Sequence, residues 1–177
     1  MKEYKFRIRT LKRTDFKGLV KNYFTYYEEV KKNPNLGITL FKPRPSMKME
    51  SRWFEDLYNQ KVKGTKVVVI AEVDGKPMGI CEVTTKRPHS EMDHVGILGI
   101  AIHQKHRSKG IGSALMKEAI KRSKGRFELI VLEVFSNNKK AINLYKKFGF
   151  KSYGTLPGSV KRGNRRIGSN MMYLRVR

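Results

Sequence analysis

Residues 103–115 read HQKHRSKGIGSAL. Gly110 and Gly112 stand two apart, and Lys105, Arg107 and Lys109 lie just upstream of them. The apolar run VGILGIAI (95–102) comes before, and SALMKEAIKRSK (113–124) comes after. The run predicts a strand buried on both faces, and the later segment has the spacing of a helix. A helix start leaves its first N–H groups without acceptors, and the helix dipole puts positive charge at the same place. Glycine has no Cβ, so an anion reaches those amides closely. The joint therefore suits a phosphate group. A tight turn with solvated lysines is the plainer account, and the surrounding elements decide between the two.

Upstream, YKFRIRTL (4–11) alternates apolar and basic residues and predicts a half-exposed strand from Tyr4 to Leu11. Thr14 or Asp15 is placed to cap a helix running to about Glu29. KKNPNLGITLFKPRP (31–45), punctuated by Pro34, Pro43 and Pro45, predicts a loop. Ser46 caps a second helix, in which Met49, Trp53, Phe54 and Leu57 form one stripe directed at the core. KVVVIAEV (66–73) and MGICEVTT (78–85) predict strands joined by a tight turn at Asp74–Gly75.

Downstream, ELIVLEVF (128–135) predicts another buried strand. A shorter helix follows in NKKAINLYKKFGF (138–150), closed by Gly149 as a C-cap. KSYGTL (151–156) and SNMMYLRV (169–176) predict two last strands around a basic loop, PGSVKRGNRRIG. The fold class is α/β (α+β): a mixed central sheet of about seven strands with about four helices, in one domain over residues 1–177.

The 177 residues carry a net charge of +24. After Glu133 there is no Asp or Glu, while eleven Lys and Arg follow. Such a field attracts anions and repels free polycations. Nucleic acid, ribosomes and acidic proteins fit it as partners, and so does general adaptation to an unusual cytoplasm. MKEYKFRIRTLKR (1–13) is charged throughout and reads as no signal peptide, and no apolar run approaches a membrane span. Cys81 is alone, so no internal disulfide forms. A cytoplasmic location is the expectation. No Cys/His spacing suits a metal, so none is expected.

Two blocks carry a family resemblance. RSKGIG (107–112), between the strand LGIAI (98–102) and its helix, resembles the Arg/Gln-x-x-Gly-x-Gly/Ala pattern of the GNAT superfamily of N-acetyltransferases. EVFSNNKKAINLYKKFGF (133–150) resembles that superfamily's second block, with Asn138, Ala141, Tyr145, Gly149 and Phe150 at the matching positions. The stretch around Glu133 and Tyr145 is similar to bacterial ribosomal-protein alanine acetyltransferases.

The resemblance implies the acyl-CoA N-acyltransferase fold, acetyl-CoA as donor and direct transfer to a primary amine. It implies that Ile100, Ala101 and Ile102 pair with the pantetheine arm. It implies that Arg107, Ser108, Lys109, Gly110, Ile111, Gly112 and Ser113 cradle the pyrophosphate, mostly through backbone amides. Asn138 and Tyr145 approach the cofactor from the second helix.

Amine acetylation needs a base for the amine and an acid for the departing thiolate. Removing a proton from an α-amine costs about 1 kcal/mol at neutral pH, and from a lysine amine roughly 4–5 kcal/mol. Tyr145 is the candidate acid. The candidate base is Glu133, directly or through a water, since it is a lone carboxylate in an apolar strand. A strand-end Glu paired with Lys or Arg is the plainer account of it. Glu82 is a second candidate, and Glu91, Asp93 and His94 stand at the head of the central strand.

The acceptor is a protein N-terminus, a lysine or a small amine. The charge favours one that carries its own anionic group or sits on a nucleic-acid-bound protein. An acidic pocket from Glu72, Glu82, Glu91 and Asp93 would overturn that preference. The chain is expected to be a monomer or homodimer without membrane attachment. The competing reading is a basic RNA- or ribosome-binding module on the same fold, with little or no catalysis.

Overall fold

The hairpin at Asp74–Gly75 organises the sheet. Both residues have positive φ, 49° and 72°, as a two-residue turn matched to strand twist requires. It joins β2 (Lys66–Val73) to β3 (Lys76–Thr85). In this computed structural model, which describes residues 4–176, the other elements are β1 (Arg7–Thr10), α1 (Phe16–Lys32), α2 (Met47–Val62), β4 (Val95–Ile102), α3 (Ile111–Ser123), β5 (Leu129–Phe135), α4 (Lys139–Lys147), β6 (Lys151–Arg162) and β7 (Arg165–Arg175). They build one seven-stranded sheet in the order β1-β2-β3-β4-β5-β7-β6. Of its strand pairs, β4–β5 is parallel and the rest are antiparallel.

The period of two in β2 divides the core. Val69 and Ala71 face one side and pack with Leu115, Met116 and Ala119 of α3 and with Ile130 and Leu132 of β5. Val68 and Ile70 face the other side and pack with Leu19 of α1 and with Phe54 and Leu57 of α2. Helices thus cover both faces.

Asp15 does something other than cap α1. Its carboxylate receives both terminal nitrogens of Arg9 at 2.7 Å and the Lys12 amide at 2.8 Å, and makes no cap bond to α1. Arg9 also holds Glu72, so Glu72 is committed to the β1–β2 edge. Ser46 does cap α2, accepting from the Met49 amide. The stripe of α2 divides: Phe54 and Leu57 are buried, whereas Met49 and Trp53 are 59% and 40% exposed. The basic segment 157–168 is no loop. It continues β6 and β7 to a turn at Gly163 (φ 60°) and Asn164, where Arg162 pairs with Arg165. Pro157 is tolerated because β6 is an edge strand.

The feature that positions the site is the divergence of β4 from β5. Their parallel register covers only Val95–Leu129, Gly96–Ile130 and Ile97–Val131. β4 stays paired to β3 out to Ile102, and β5 stays paired to β7 out to Phe135. Past Ile97 the two strands leave a gap in the middle of the sheet. Burial on both faces of β4 is therefore confined to its start: Val95, Gly96 and Leu98 are buried, but Ile97 and Gly99 are exposed. No helix among the described residues is long and apolar enough to cross a membrane.

Candidate active site

The 103–113 segment closes the gap at the end of β4. Ser108 and Gly110 both hold positive φ, 59° and 83°. A side chain on Gly110 would have open space but a strained backbone. The amides of Ser108, Lys109, Gly110, Ile111, Gly112 and Ser113 find no protein acceptor among the described residues; the first helical bond of α3 is Ala114 N to Gly110 O, 3.1 Å. A run of free N–H groups at a helix start is an anion cradle. Gly112 sits close to its neighbours: a Cβ there would lie 3.2 Å from Leu144 Cδ2 and 3.4 Å from Ile102 Cδ1.

Side chains in this segment play other parts than the sequence reading expects. Arg107 turns inward. Its Nε donates to the Ile102 carbonyl at 2.8 Å, and its two terminal nitrogens hold the Glu29 carboxylate of α1. Lys109 lies 4.2 Å from the centre of the Tyr4 ring. Ile100, Ala101 and Ile102 form the half-buried end of β4 beside the gap.

From the far side, Asn138 starts α4, and its Oδ1 accepts from the Ala141 amide at 3.2 Å. Its Nδ2 lies against Gly37 of the α1–α2 loop. Tyr145 is 6% exposed, packed in the core on the α3 face with its ring 5.8 Å from that of Phe150. Burial, aided by the nearby Cys81 thiol, pushes its phenol well above the ordinary tyrosine value, so it stays protonated at neutral pH. Cys81 is fully buried and its thiol is likewise raised, which makes it an inert core residue.

Glu133 is exposed and has no ion-pair partner among the described residues. Both sequence accounts, a buried base and a paired strand end, assumed otherwise. Ile130, Leu132 and Val134 face the α3 core, so Glu133 projects from the opposite face of the sheet. Tyr145 and Glu133 therefore flank the sheet from opposite sides.

On the α1–α2 side lies a cavity of about 440 Å³. Its walls include Tyr23, Tyr26, Phe41, Met49, Trp53 and residues of β3 and β4 as far as Ala101. Its charged residues are Glu50 and Glu82. Glu82 Oε2 is buried with no hydrogen bond, 3.6 Å from Lys66 Nζ. The acidic set weighed from sequence does not assemble: Glu72 pairs with Arg9, Asp93 pairs with Arg126, and Glu91 and His94 are exposed. Sequence reasoning missed Glu50. The signal was present, because Glu50 lies on the α2 stripe between Met49 and Trp53, where a carboxylate is out of place in a core. No group of metal-binding side chains occurs among the described residues.

Residues 35–150 match the model of the Acetyltransferase (GNAT) family. The chain is 35% identical over 119 residues to the L-amino acid N-acetyltransferase AaaT of Escherichia coli, covering 66% of this chain and 69% of the relative. It is 34% identical over 96 residues to an N-alpha-acetyltransferase of Sulfurisphaera tokodaii, covering 49% of this chain and 58% of the relative. An acetyltransferase of Salmonella typhimurium solved with acetyl-CoA superposes with a TM-score of 0.80 at 18% identity, covering 97% of this chain and 94% of that one.

Proposed function

Since the chain belongs to the acetyltransferase (GNAT) family, we propose that it is an N-acetyltransferase that moves the acetyl group of acetyl-CoA directly to a primary amine. The observation that carries this reading is the cradle of free amides from Ser108 to Ser113 at the mouth of the β4–β5 gap. Those amides, the α3 dipole and the nearby lysines fit a pyrophosphate. Ile100, Ala101 and Ile102 offer strand edge to the pantetheine arm, and Asn138 and Tyr145 border it from α4.

Acetyl-CoA supplies an acetyl group already activated as a thioester. The amine nitrogen bonds the acetyl carbon and the carbon–sulfur bond breaks. One proton leaves the nitrogen and one is taken up by the departing sulfur. Tyr145 is the acid that meets the sulfur, which its buried and protonated phenol supports. Glu133, or a water it holds, takes the proton from nitrogen. Its exposure leaves it accessible for that task. The relatives named above are an L-amino acid N-acetyltransferase and an N-alpha-acetyltransferase, and free amino acids and other α-amines are both compatible with this chemistry.

The test is release of free thiol from acetyl-CoA over a panel of amines, with Tyr145→Phe and Glu133→Gln as variants. Amine-dependent thiol release, lowered in both variants, supports the reading. Activity at wild-type level in both removes the two residues from the chemistry.

A second reading is RNA or ribosome binding through the basic surface. The exposed Lys161, Arg165 and Arg166 on the β6–β7 hairpin favour it. It predicts an affinity for RNA that falls steeply with salt.

A further inference from the structure

We propose that the cavity between α1, α2 and β4 takes a primary amine borne on an apolar, ring-sized group, with no carboxylate beside the nitrogen. This rests on the acetyltransferase reading and names the acceptor class for it.

The first observation is the charge of the lining. The chain carries 39 Lys and Arg against 15 Asp and Glu, yet none of the residues lining this cavity is Lys or Arg. Its charges are Glu50 and Glu82. The second is that Glu50 is 6% exposed and its carboxylate has no hydrogen-bond or ion-pair partner among the described residues. Its oxygens are not among the sealed, orphaned atoms, and Glu50 lines the cavity. A buried carboxylate without a partner is costly, and an ammonium ion is the group that offsets it.

The third observation is the wall. Tyr23, Phe41 and Trp53 present rings to the same space. Ring faces attract a cation and give an apolar body area to bury. The cations recorded around this region are already engaged: Lys66 lies 3.6 Å from Glu82, Arg44 stacks 3.6 Å over Phe24, and Arg107 holds Glu29. An α-carboxylate entering the cavity would meet Glu50 and Glu82 with no free cation to receive it. The chemistry that fits is an arylalkylamine, or the amino terminus of a peptide that begins with a large apolar residue.

The experiment compares 2-phenylethylamine, L-phenylalanine and a short peptide with N-terminal Phe as acceptors for the full chain, with acetyl-CoA binding measured in parallel by thermal shift. The amine of 2-phenylethylamine is no easier to deprotonate than that of L-phenylalanine, so any preference for it reports the pocket. The expected result is a kcat/KM, referred to the deprotonated fraction of each amine, at least tenfold higher for 2-phenylethylamine or the peptide than for L-phenylalanine, and the better of the two identifies the source. In Glu50→Gln that preference shrinks at least fivefold, mainly through KM, while the acetyl-CoA shift persists. Equal or better use of L-phenylalanine overturns the proposal, as does a protein that binds acetyl-CoA and acetylates neither carboxylate-free amine. Absence of any acetyl-CoA shift instead overturns the acetyltransferase reading on which it stands.

Discussion

Arg107 of the glycine-rich joint is bound to Glu29 of α1, and its Nε donates to the Ile102 carbonyl, 2.8 Å away. The guanidinium therefore ties together the end of β4, the cradle and the helix that forms one wall of the cavity. A basic residue that looks like a phosphate contact in the sequence acts in the structure as a brace.

That assignment separates two variants. Arg107→Ala and Glu29→Gln should each cost about 1–3 kcal/mol, the value of charge-assisted hydrogen bonds in a partly buried setting. Urea unfolding checks this. Both should weaken acetyl-CoA binding to a similar degree, through loss of the loop's position. Weakening confined to Arg107→Ala would mean that the guanidinium contacts the cofactor.

Tyr145→Phe should lower kcat about 10²-fold or more, the contribution of a positioned acid, with the acetyl-CoA thermal shift retained. The pH profile adds a second check. The phenol is held above its ordinary value, so the proton-donating form persists past pH 10. Wild-type kcat should therefore show no fall between pH 8 and 10. A falling limb in that window would exclude Tyr145 as the acid.

Glu50 predicts a trade of stability for function. Burial raises its carboxyl above the ordinary value, so the folded state binds that proton more tightly than the unfolded chain does. The resulting stabilisation is fully present below the unfolded value of about 4.3 and is lost as pH rises through the folded value. Ionising the carboxylate therefore works against folding. Glu50→Gln should then raise the Tm at pH 7.5, with the gain shrinking toward pH 4.5, and thermal scans at the two pH values check it. A lower Tm at pH 7.5 would show that the carboxylate has a partner in the folded protein.

The core of β2 rests on Leu115 and Met116 of α3, both fully buried. Leu115→Ala should cost roughly 2–5 kcal/mol through the cavity it leaves. Chemical denaturation measures it.

Much of the fold was legible because local signals agreed with tertiary demand. Asp74–Gly75 could form only a tight turn, Ser46 had a helix to cap, and Gly149 adopts the positive φ that ends α4. The two glycine-bearing blocks marked the cradle and α4. What could not be read was set by distant partners. Asp15 is drawn from the helix start by Arg9 six residues earlier. Arg107 is drawn from the cradle by Glu29, 78 residues away. The exposure of Glu133 follows from the divergence of β4 and β5, which periodicity cannot report, since an apolar strand reads the same whether or not its neighbour stays paired. The α2 stripe concealed a cavity because a wall of rings and a packed core have the same spacing until Glu50 is noticed among them.

The central claim is that the joint at Gly110 and Gly112 holds acetyl-CoA. Its most direct test is thermal unfolding with and without acetyl-CoA at fixed salt, for the wild type and for Gly112→Glu, whose side chain would press on Leu144 and Ile102 and displace the cradle amides. The account predicts that the wild type gains about 2.7 kcal/mol at a hundredfold excess over the dissociation constant, and that a folded Gly112→Glu protein gains nothing. An unchanged wild-type midpoint, or an equal gain in the variant, would contradict it.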